Sequence, residues 1–296
     1  MSLAGIQCWV PAIYFTIMAK QIKTLIFISI LLLSCGNRND YDYEETDSLF
    51  SENNVVEVED NKTTSRPIDL SLLEIPKDES EGSIIAHLGY TLSYNHQTLT
   101  PNWVAYELTA EEANGQVPRC NNFAEDPDLK GRQASLDDYR GSGWDRGHLA
   151  PAADMKWSPQ AMDESFFLSN MCPQNQTFNG GSWETTERMG RRIANQYGKV
   201  YIVCGPIYSN NYFGTIGANK VAIPDAFFKA FLIEIDGTYS AIGFVMLNIP
   251  ERQDLKASSM SIDQLEELIN LDLFHNLDDA IETEVEARVD KRYWGI

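Results

Sequence analysis

The sequence predicts an α+β domain. Short β-prone runs are separated by turn residues, and helical segments lie between them without the regular strand–helix alternation of a doubly wound parallel sheet. The apolar fraction of 43% over 296 residues is sufficient for a substantial buried core. These observations favour a folded domain in which strands and helices are unevenly distributed along the chain.

The predicted elements follow in chain order. The runs 90–94 and 103–108, joined by a polar turn, predict a β-hairpin. A long glycine-containing loop comes next, and residues 179–197 then predict a helix. Strands are predicted at 200–204, 228–235 and 239–247. A last helix is expected to begin at Ser261, because Ser261 and Gln264 fit a capping box.

Residues 1–35 predict a signal region. Two lysines precede an apolar run at 25–33, which is too short for a typical membrane-spanning helix and typical of a signal peptide. The run leads into a Leu-Leu-Ser-Cys sequence that ends at Cys35 and resembles a bacterial lipoprotein signal. Cys35 is therefore the expected lipidation site.

A lipid on Cys35 predicts a location in a bacterial cell envelope, anchored to the membrane on the periplasmic or extracellular face. Met18 is then the expected start of the protein. The alternative is a hydrophobic anchor that stays on the protein, because residues 8–17 are also apolar.

Residues 36–80 predict an acidic, disordered linker, and residues 81–296 the folded domain. The formal net charge of −20 is unusual for a protein that binds a polyanion. Its distribution matters more, because residues 39–60 contain nine acidic and no basic residues, whereas residues 119–199 contain ten Lys or Arg and eleven Asp or Glu. The net charge therefore does not exclude a phosphate-binding site in the middle of the chain.

Three cysteines, Cys120, Cys172 and Cys204, remain after the signal region. An odd number permits at most one disulfide bond. The chain has no Cys-x-x-Cys pair, so a structural zinc site is not expected.

The strongest chemical signal is the sequence Asp145-Arg146-Gly147-His148. It combines an imidazole that can accept a proton near neutral pH with a guanidinium that can bind phosphate. Glycine between them allows close approach of the backbone to a ligand. Phosphodiester hydrolysis requires such a combination, although the four residues alone are also compatible with a surface turn.

A second set of polar residues follows on the predicted helix. At about 100° per residue, Trp183, Glu187 and Arg191 lie within roughly 120° of Asn179, so the four side chains share one face. Asn170 precedes this helix in a short apolar segment. The alternative, purely structural interpretations are an ion pair between Glu187 and Arg191 on the helix surface and a core-packing role for Trp183.

Together these residues resemble the DNA/RNA non-specific endonuclease family, which includes mitochondrial endonuclease G and secreted bacterial nucleases. The resemblance extends over residues 88–274 and includes the flanking segments 102–107 and 119–127. It implies the ββα-metal (His-Me finger) nuclease fold, with a central, mainly antiparallel sheet and flanking helices.

The resemblance also implies a role for each motif residue. His148 would be the general base that activates water, and Asn179 the one direct protein ligand of a divalent ion. Glu187 would hold metal-bound waters. Phosphate contacts are implied for Arg119, Arg146 and Arg191. Asn170 would support the site, and Asp145 would orient the loop.

The implied cofactor is Mg²⁺, with Mn²⁺ as a substitute, because a neutral amide ligand leaves phosphate oxygens and water to complete an octahedral shell. The implied substrates are DNA and RNA, bound mainly through backbone phosphates and cut to leave 5′-phosphate ends. Since His148 must be neutral to act as a base, turnover is expected to fall as the pH drops through the ordinary histidine range. The alternatives are a surface lipoprotein that binds nucleic acid without cleaving it and a phosphodiesterase for small nucleotides.

Overall fold

The computed structural model describes residues 66–208 and 213–296. The predicted signal region, including Cys35, and residues 36–65 of the predicted linker lie outside the described residues. Within the described ranges, no helix has both the length and the apolar character needed to cross a membrane.

The strands, in chain order, are β1 (Ser83–Ala86), β2 (Thr91–Asn95), β3 (Thr100–Thr109), β4 (Asp145–His148), β5 (Met171–Gln174), β6 (Lys199–Ile207), β7 (Thr215–Ile216), β8 (Val221–Ala222), β9 (Ala226–Ile235), β10 (Thr238–Leu247) and β11 (Ser259–Met260). Seven of them form an antiparallel sheet in the order β1-β2-β3-β6-β9-β10-β11. Two smaller antiparallel pairs, β4–β5 and β7–β8, lie outside this sheet.

The helices are α1 (Ala110–Ala113), α2 (Leu136–Tyr139), α3 (Pro159–Glu164), α4 (Gln176–Phe178), α5 (Glu184–Tyr197), α6 (Leu255–Ser258), α7 (Ile262–Ile269) and α8 (Asp279–Glu286). A 3₁₀ turn at Leu168–Asn170 precedes β5, and a π turn at Asn179–Trp183 joins α4 to α5. Helix α5 ends at Gly198, whose φ of 91° suits glycine at a helix C-terminus.

The large sheet is buried on both faces, as β9 shows. Phe227 and Phe231 point to the face that α5 covers, whereas Phe228 and Leu232 point to the face that α7 and α8 cover. This alternation is the two-residue period of a strand, with apolar residues on both sides. The α+β class and the mainly antiparallel sheet with flanking helices are therefore confirmed.

The folded part begins before the predicted domain boundary at residue 81. Glu74 and Ile75 are buried, Lys77 forms a β-bridge with Asp272, and the amide of Arg66 donates to the carbonyl of Ala86 at 2.9 Å. Ile75 packs into the core on the α7 side. Residues 66–80 thus belong to the fold, and the predicted linker boundary at residue 80 is too late for this segment.

Candidate active site

The Asp-Arg-Gly-His sequence forms strand β4 and not the loop that the glycines around it predict. β4 pairs antiparallel with β5, so that Gly147 lies opposite Cys172 and His148 opposite Met171. A Cβ atom on Gly147 would lie 2.1 Å from the side-chain amide carbon of Gln174. Any larger residue here would therefore force the buried side chain of Gln174 to move. The motif residues rest on a paired strand, which fixes where His148 points.

The His148 ring lies in an aromatic pocket. Its centroid is 5.0 Å from that of Phe166 and 5.8 Å from that of Phe123. Arg119 and Arg146, both exposed, lie over these same rings, with guanidinium carbons 5.0 Å from Phe166 and 4.2 Å from Phe123. Two of the predicted catalytic residues, Arg119 and Arg146, therefore flank the predicted base.

The pocket keeps His148 uncharged. His148 is only 8% exposed, and its Nε2 atom has no hydrogen-bond partner among the described residues. Burial lowers the pKa of His148 from 6.5 to about 3, and the positive charges of Arg119 and Arg146 contribute to the shift. The ring is therefore neutral at neutral pH, which is the form whose nitrogen can accept a proton.

The backbone around His148 is held by two side chains from other elements. Asn170 exchanges hydrogen bonds with the backbone of Ala150, accepting at 2.9 Å and donating at 2.8 Å, and donates to the carbonyl of Ser165 at 2.9 Å. The indole nitrogen of Trp183 donates to the carbonyl of His148 at 3.0 Å. Asn170 thus has a supporting position, and Trp183, 1% exposed, has the core-packing position expected for it.

Asn179 lies opposite β4 at the start of the π turn. Its side-chain nitrogen donates to a carboxylate oxygen of Asp145 at 3.0 Å. This contact turns the amide so that its oxygen is the atom left for a metal ion, and no described residue donates to that oxygen. Asp145 therefore orients the predicted metal ligand. π turns inserted into α-helices are frequent at functional sites.

Helix α5 contributes the charged residues behind this position. Arg191 forms an ion pair with buried Asp154 at 2.6 Å, and Tyr106 donates to the other oxygen of Asp154 at 2.9 Å. The ion pair described for Arg191 is thus with Asp154 and not with Glu187. A phosphate contact by Arg191 stays a prediction.

Glu187 has an unusual electrostatic environment. Burial raises its pKa to about 7, Lys229 and Arg191 act against this shift, and nearby Asp154 adds to it. The carboxyl group therefore changes between its neutral and its ionised form near neutral pH. The grouping of Glu187 with Asn179 on one helix face stays a prediction.

Sequence reasoning missed Asp154 and Lys229. Lys229 is 1% exposed, its ammonium group has no hydrogen-bond partner among the described residues, and it lies 4.1 Å from the centroid of the Trp183 ring. The sequence did contain an indication of Lys229, since it is a lysine within the apolar strand β9. Buried lysines are rare unless they are paired, so such a lysine is a candidate functional residue. For Asp154 the signal was an acidic residue within a short apolar segment after the motif.

A second group of potential metal ligands comprises His87, Asp126 and Asp128, whose ligand atoms lie within 4.8 Å of one another. His87 and Asp126 are buried and share a hydrogen bond at 2.9 Å, and Asp126 also accepts from the hydroxyl of Ser169. Ser169 adjoins Asn170, so these contacts hold the segment that supports His148. The sequence assigns no role to His87.

The three described cysteines are free thiols, Cys172 and Cys204 buried and Cys120 partly exposed. Burial raises the pKa of Cys204 to about 12, so this thiol remains protonated and packs as an apolar group.

Comparison with known proteins agrees with this geometry. The family model for DNA/RNA non-specific endonuclease matches residues 73–280. A mitochondrial nuclease EXOG of Xenopus laevis is 35% identical over 208 residues, which is 65% of this chain and 58% of that protein. Human mitochondrial endonuclease G is 37% identical over 173 residues, 54% of this chain and again 58% of that protein.

A bacterial relative and a solved structure extend the comparison. A nuclease of Nostoc sp. is 32% identical over 213 residues, covering 68% of this chain and 76% of that protein. The crystal structure of an EndoG/EndoGI complex has a TM-score of 0.64 and 30% identity, covering 69% of this chain and 90% of that chain. The matched region thus spans little more than half of the two mitochondrial relatives. The chain belongs to the DNA/RNA non-specific endonuclease family.

Proposed function

We propose that the protein is a metal-dependent endonuclease that hydrolyses phosphodiester bonds of DNA and RNA without strong sequence specificity. The observation that carries this proposal is the neutral imidazole of His148 between two exposed arginines, on a strand that faces the oriented amide of Asn179. A protein that only binds nucleic acid has no need for a base of this kind.

His148 acts as the general base. Its ring takes a proton from a water molecule, which then attacks the phosphorus. The aromatic pocket surrounds the ring, and the hydrogen bond from Trp183 holds the backbone carbonyl of His148. The arginines at 119 and 146 neutralise the charge that develops on the phosphate oxygens, and their place on aromatic faces limits their freedom before substrate binds.

The residues present fit a divalent ion bound by a single protein ligand. The amide oxygen of Asn179 is the proposed ligand atom, and the carboxyl groups of Asp145 and Glu187 are proposed to accept hydrogen bonds from ion-bound waters. The hydrogen bond from the side-chain nitrogen of Asn179 to Asp145 supports this arrangement. When bound, the ion polarises the phosphoryl group and stabilises the leaving 3′ oxygen. Mg²⁺ is the ion proposed, with Mn²⁺ as a substitute, since both favour oxygen ligands.

Recognition is proposed to depend on phosphates and not on bases. The exposed cationic groups at the site are arginines, which bind phosphate in a bidentate manner without reading sequence. Cleavage is expected to leave 5′-phosphate and 3′-hydroxyl ends on both DNA and RNA.

Circular single-stranded DNA, supercoiled plasmid and single-stranded RNA, each incubated with the full chain and Mg²⁺, test this proposal. We expect all three to be cut, with fragment ends that accept label from polynucleotide kinase only after phosphatase treatment. Cleavage of a dinucleotide with all long substrates left intact would instead indicate a small-nucleotide phosphodiesterase. Binding in a gel shift without cleavage would indicate a binding protein, and a defined recognition sequence at the cut sites would contradict the proposed lack of specificity.

We also propose that Cys35 carries a lipid that anchors the enzyme to a bacterial envelope membrane. The support is the apolar run at 25–33 followed by Leu-Leu-Ser-Cys. In bacteria fed a clickable palmitate analogue, the full chain should incorporate the label and enter the detergent phase of Triton X-114, and Cys35→Ala should lose both properties. Equal labelling of the two proteins would contradict this assignment.

A further inference from the structure

A cluster of three acidic residues lies on the face of the sheet opposite α5. Asp263 and Glu266 lie on α7, and Glu286 on α8. One carboxylate oxygen of each residue lies within 4.8 Å of those of the other two. The two helices pack into the core on this face through Leu265 and Val285, so the group sits where they meet.

Glu286 is the member of this group whose carboxyl group is shielded from solvent. It is 6% exposed, and its Oε1 atom has no hydrogen-bond partner among the described residues. A buried polar atom without a partner costs about 1–3 kcal/mol, and more when it is charged. A buried residue with such an atom, whose carboxylate lies close to two others, favours the binding of a cation.

Among the described residues, Lys77 and Arg288 are each paired with another acid. Lys77 pairs with neighbouring Asp272 at 3.8 Å, and both side chains are about half exposed. Arg288, on the same helix as Glu286, pairs with Glu284 at 2.9 Å. Burial raises the pKa of Glu286 to about 9, and repulsion from Glu266 and the other acids adds to the shift.

We propose that Asp263, Glu266 and Glu286 bind a divalent cation of the calcium class, which joins α7 to α8. Calcium takes six to eight oxygen ligands at about 2.3–2.6 Å, so two of its ligand oxygens lie up to roughly 5 Å apart. Magnesium, with ligands at about 2.1 Å, requires a tighter octahedral arrangement. Asp263 is exposed and Glu286 buried, which leaves one side of the group open for the ion to enter and for waters to complete its shell.

The test is a calorimetric titration of CaCl₂ into the metal-free full chain carrying Asn179→Ala, which removes the proposed ligand of the active site. We expect one Ca²⁺ ion to bind with a Kd of roughly 10⁻⁴ M and to raise the Tm, and Mg²⁺ at the same concentration to raise it less. Adding Glu286→Gln should weaken calcium binding by about tenfold or more, because affinity follows the number of charged ligands.

Glu284→Gln is the matched control. Glu284 lies on the same helix, is 73% exposed and pairs with Arg288, so this variant should bind calcium like its parent. Far-UV circular dichroism checks that both variants fold. Unchanged calcium affinity in the Glu286→Gln protein overturns the proposal. So does absence of calcium binding in the parent, and a calcium-independent rise in Tm for Glu286→Gln would then identify a proton-sharing carboxyl cluster.

Discussion

The two titratable groups at the candidate site have pKa values shifted in opposite directions by the same cause. Burial disfavours the charged form, which lowers the pKa of His148 to about 3 and raises that of Glu187 to about 7. His148 is therefore neutral at any pH at which Glu187 is ionised. Of the two groups, Glu187 is the one whose titration falls near neutral pH, which revises the expectation that loss of activity follows the ordinary histidine range.

The first prediction concerns the pH dependence of cleavage. If ionised Glu187 holds ion-bound waters, kcat/KM should fall about tenfold per pH unit below pH 7, as the carboxylate gains a proton. Glu187→Gln should lower kcat at pH 8 by roughly 10–100-fold. It should also remove the fall in kcat/KM below pH 7, which is the acid limb of the pH profile. Initial rates on a fluorescent duplex between pH 5 and 9 measure both effects. A limb that persists near pH 7 in Glu187→Gln would assign the titration to another group.

The second prediction concerns Lys229, whose buried ammonium group opposes the pKa rise of Glu187. Lys229→Met removes this charge, so the acid limb of kcat/KM should move to higher pH, and activity lost at pH 7 should recover towards pH 9. Lys199→Met, which removes a half-exposed lysine paired with Glu107 at 3.0 Å, is the control and should keep the original limb. An unmoved limb in Lys229→Met would show that Lys229 does not set the charge of Glu187.

At the scale of elements, the β4–β5 pair and the turn before it position His148 through Asn170. Asn170→Ala leaves the buried backbone groups of Ala150 and Ser165 without partners, which should cost about 3 kcal/mol in the free energy of unfolding. We expect urea unfolding to show this loss and kcat of the folded fraction to fall as well.

Asn276→Ala is the control. It removes two hydrogen bonds to the carbonyls of Leu70 and Leu72, away from the site, and should reduce stability but leave kcat intact. Full kcat in Asn170→Ala would contradict the positioning role.

Elements with a strong local pattern could be predicted from the sequence. The hairpin of β2 and β3, the strands β6, β9 and β10, and the capping box at Ser261 all occur where the periodicity indicates them, with bounds that differ by a few residues. In each case the hydrophobic period or the cap residues are contained in the segment itself. The helix predicted over 179–197 also exists, although its first turn is a π turn.

Elements that depend on distant partners could not be predicted. β4 contains only four residues and becomes a strand because β5, more than twenty residues later, pairs with it. Residues 66–80 have the polar sequence expected of a linker, and only the packing of Ile75 on the sheet shows that they belong to the fold. Likewise the motif identified His148 and Asn179, but Lys229 joins the site only because β9 lies under Trp183.

At the scale of the whole molecule, a chain with a net charge of −20 has to attract a polyanion through a local group of arginines. Binding should therefore weaken with salt. In a fluorescence anisotropy titration with the inactive His148→Ala chain, log Kd for duplex DNA should rise linearly with log[NaCl]. Arg146→Gln should lower that slope by about 0.9 for one lost phosphate contact. Arg140→Gln, which removes an exposed arginine paired with Asp137 at 2.7 Å, should leave the slope unchanged. Identical slopes for the two arginine variants would contradict phosphate binding by Arg146.

The most direct measurement of the central claim is cleavage of supercoiled plasmid and of single-stranded RNA by the full chain, with Mg²⁺ or with EDTA, beside His148→Ala and Asn179→Ala. We predict that both substrates are cut only when Mg²⁺, His148 and Asn179 are all present, and that His148→Ala reduces the rate by about 10²–10⁴-fold. Cleavage that continues in EDTA, or that survives His148→Ala at the parent rate, would contradict the account.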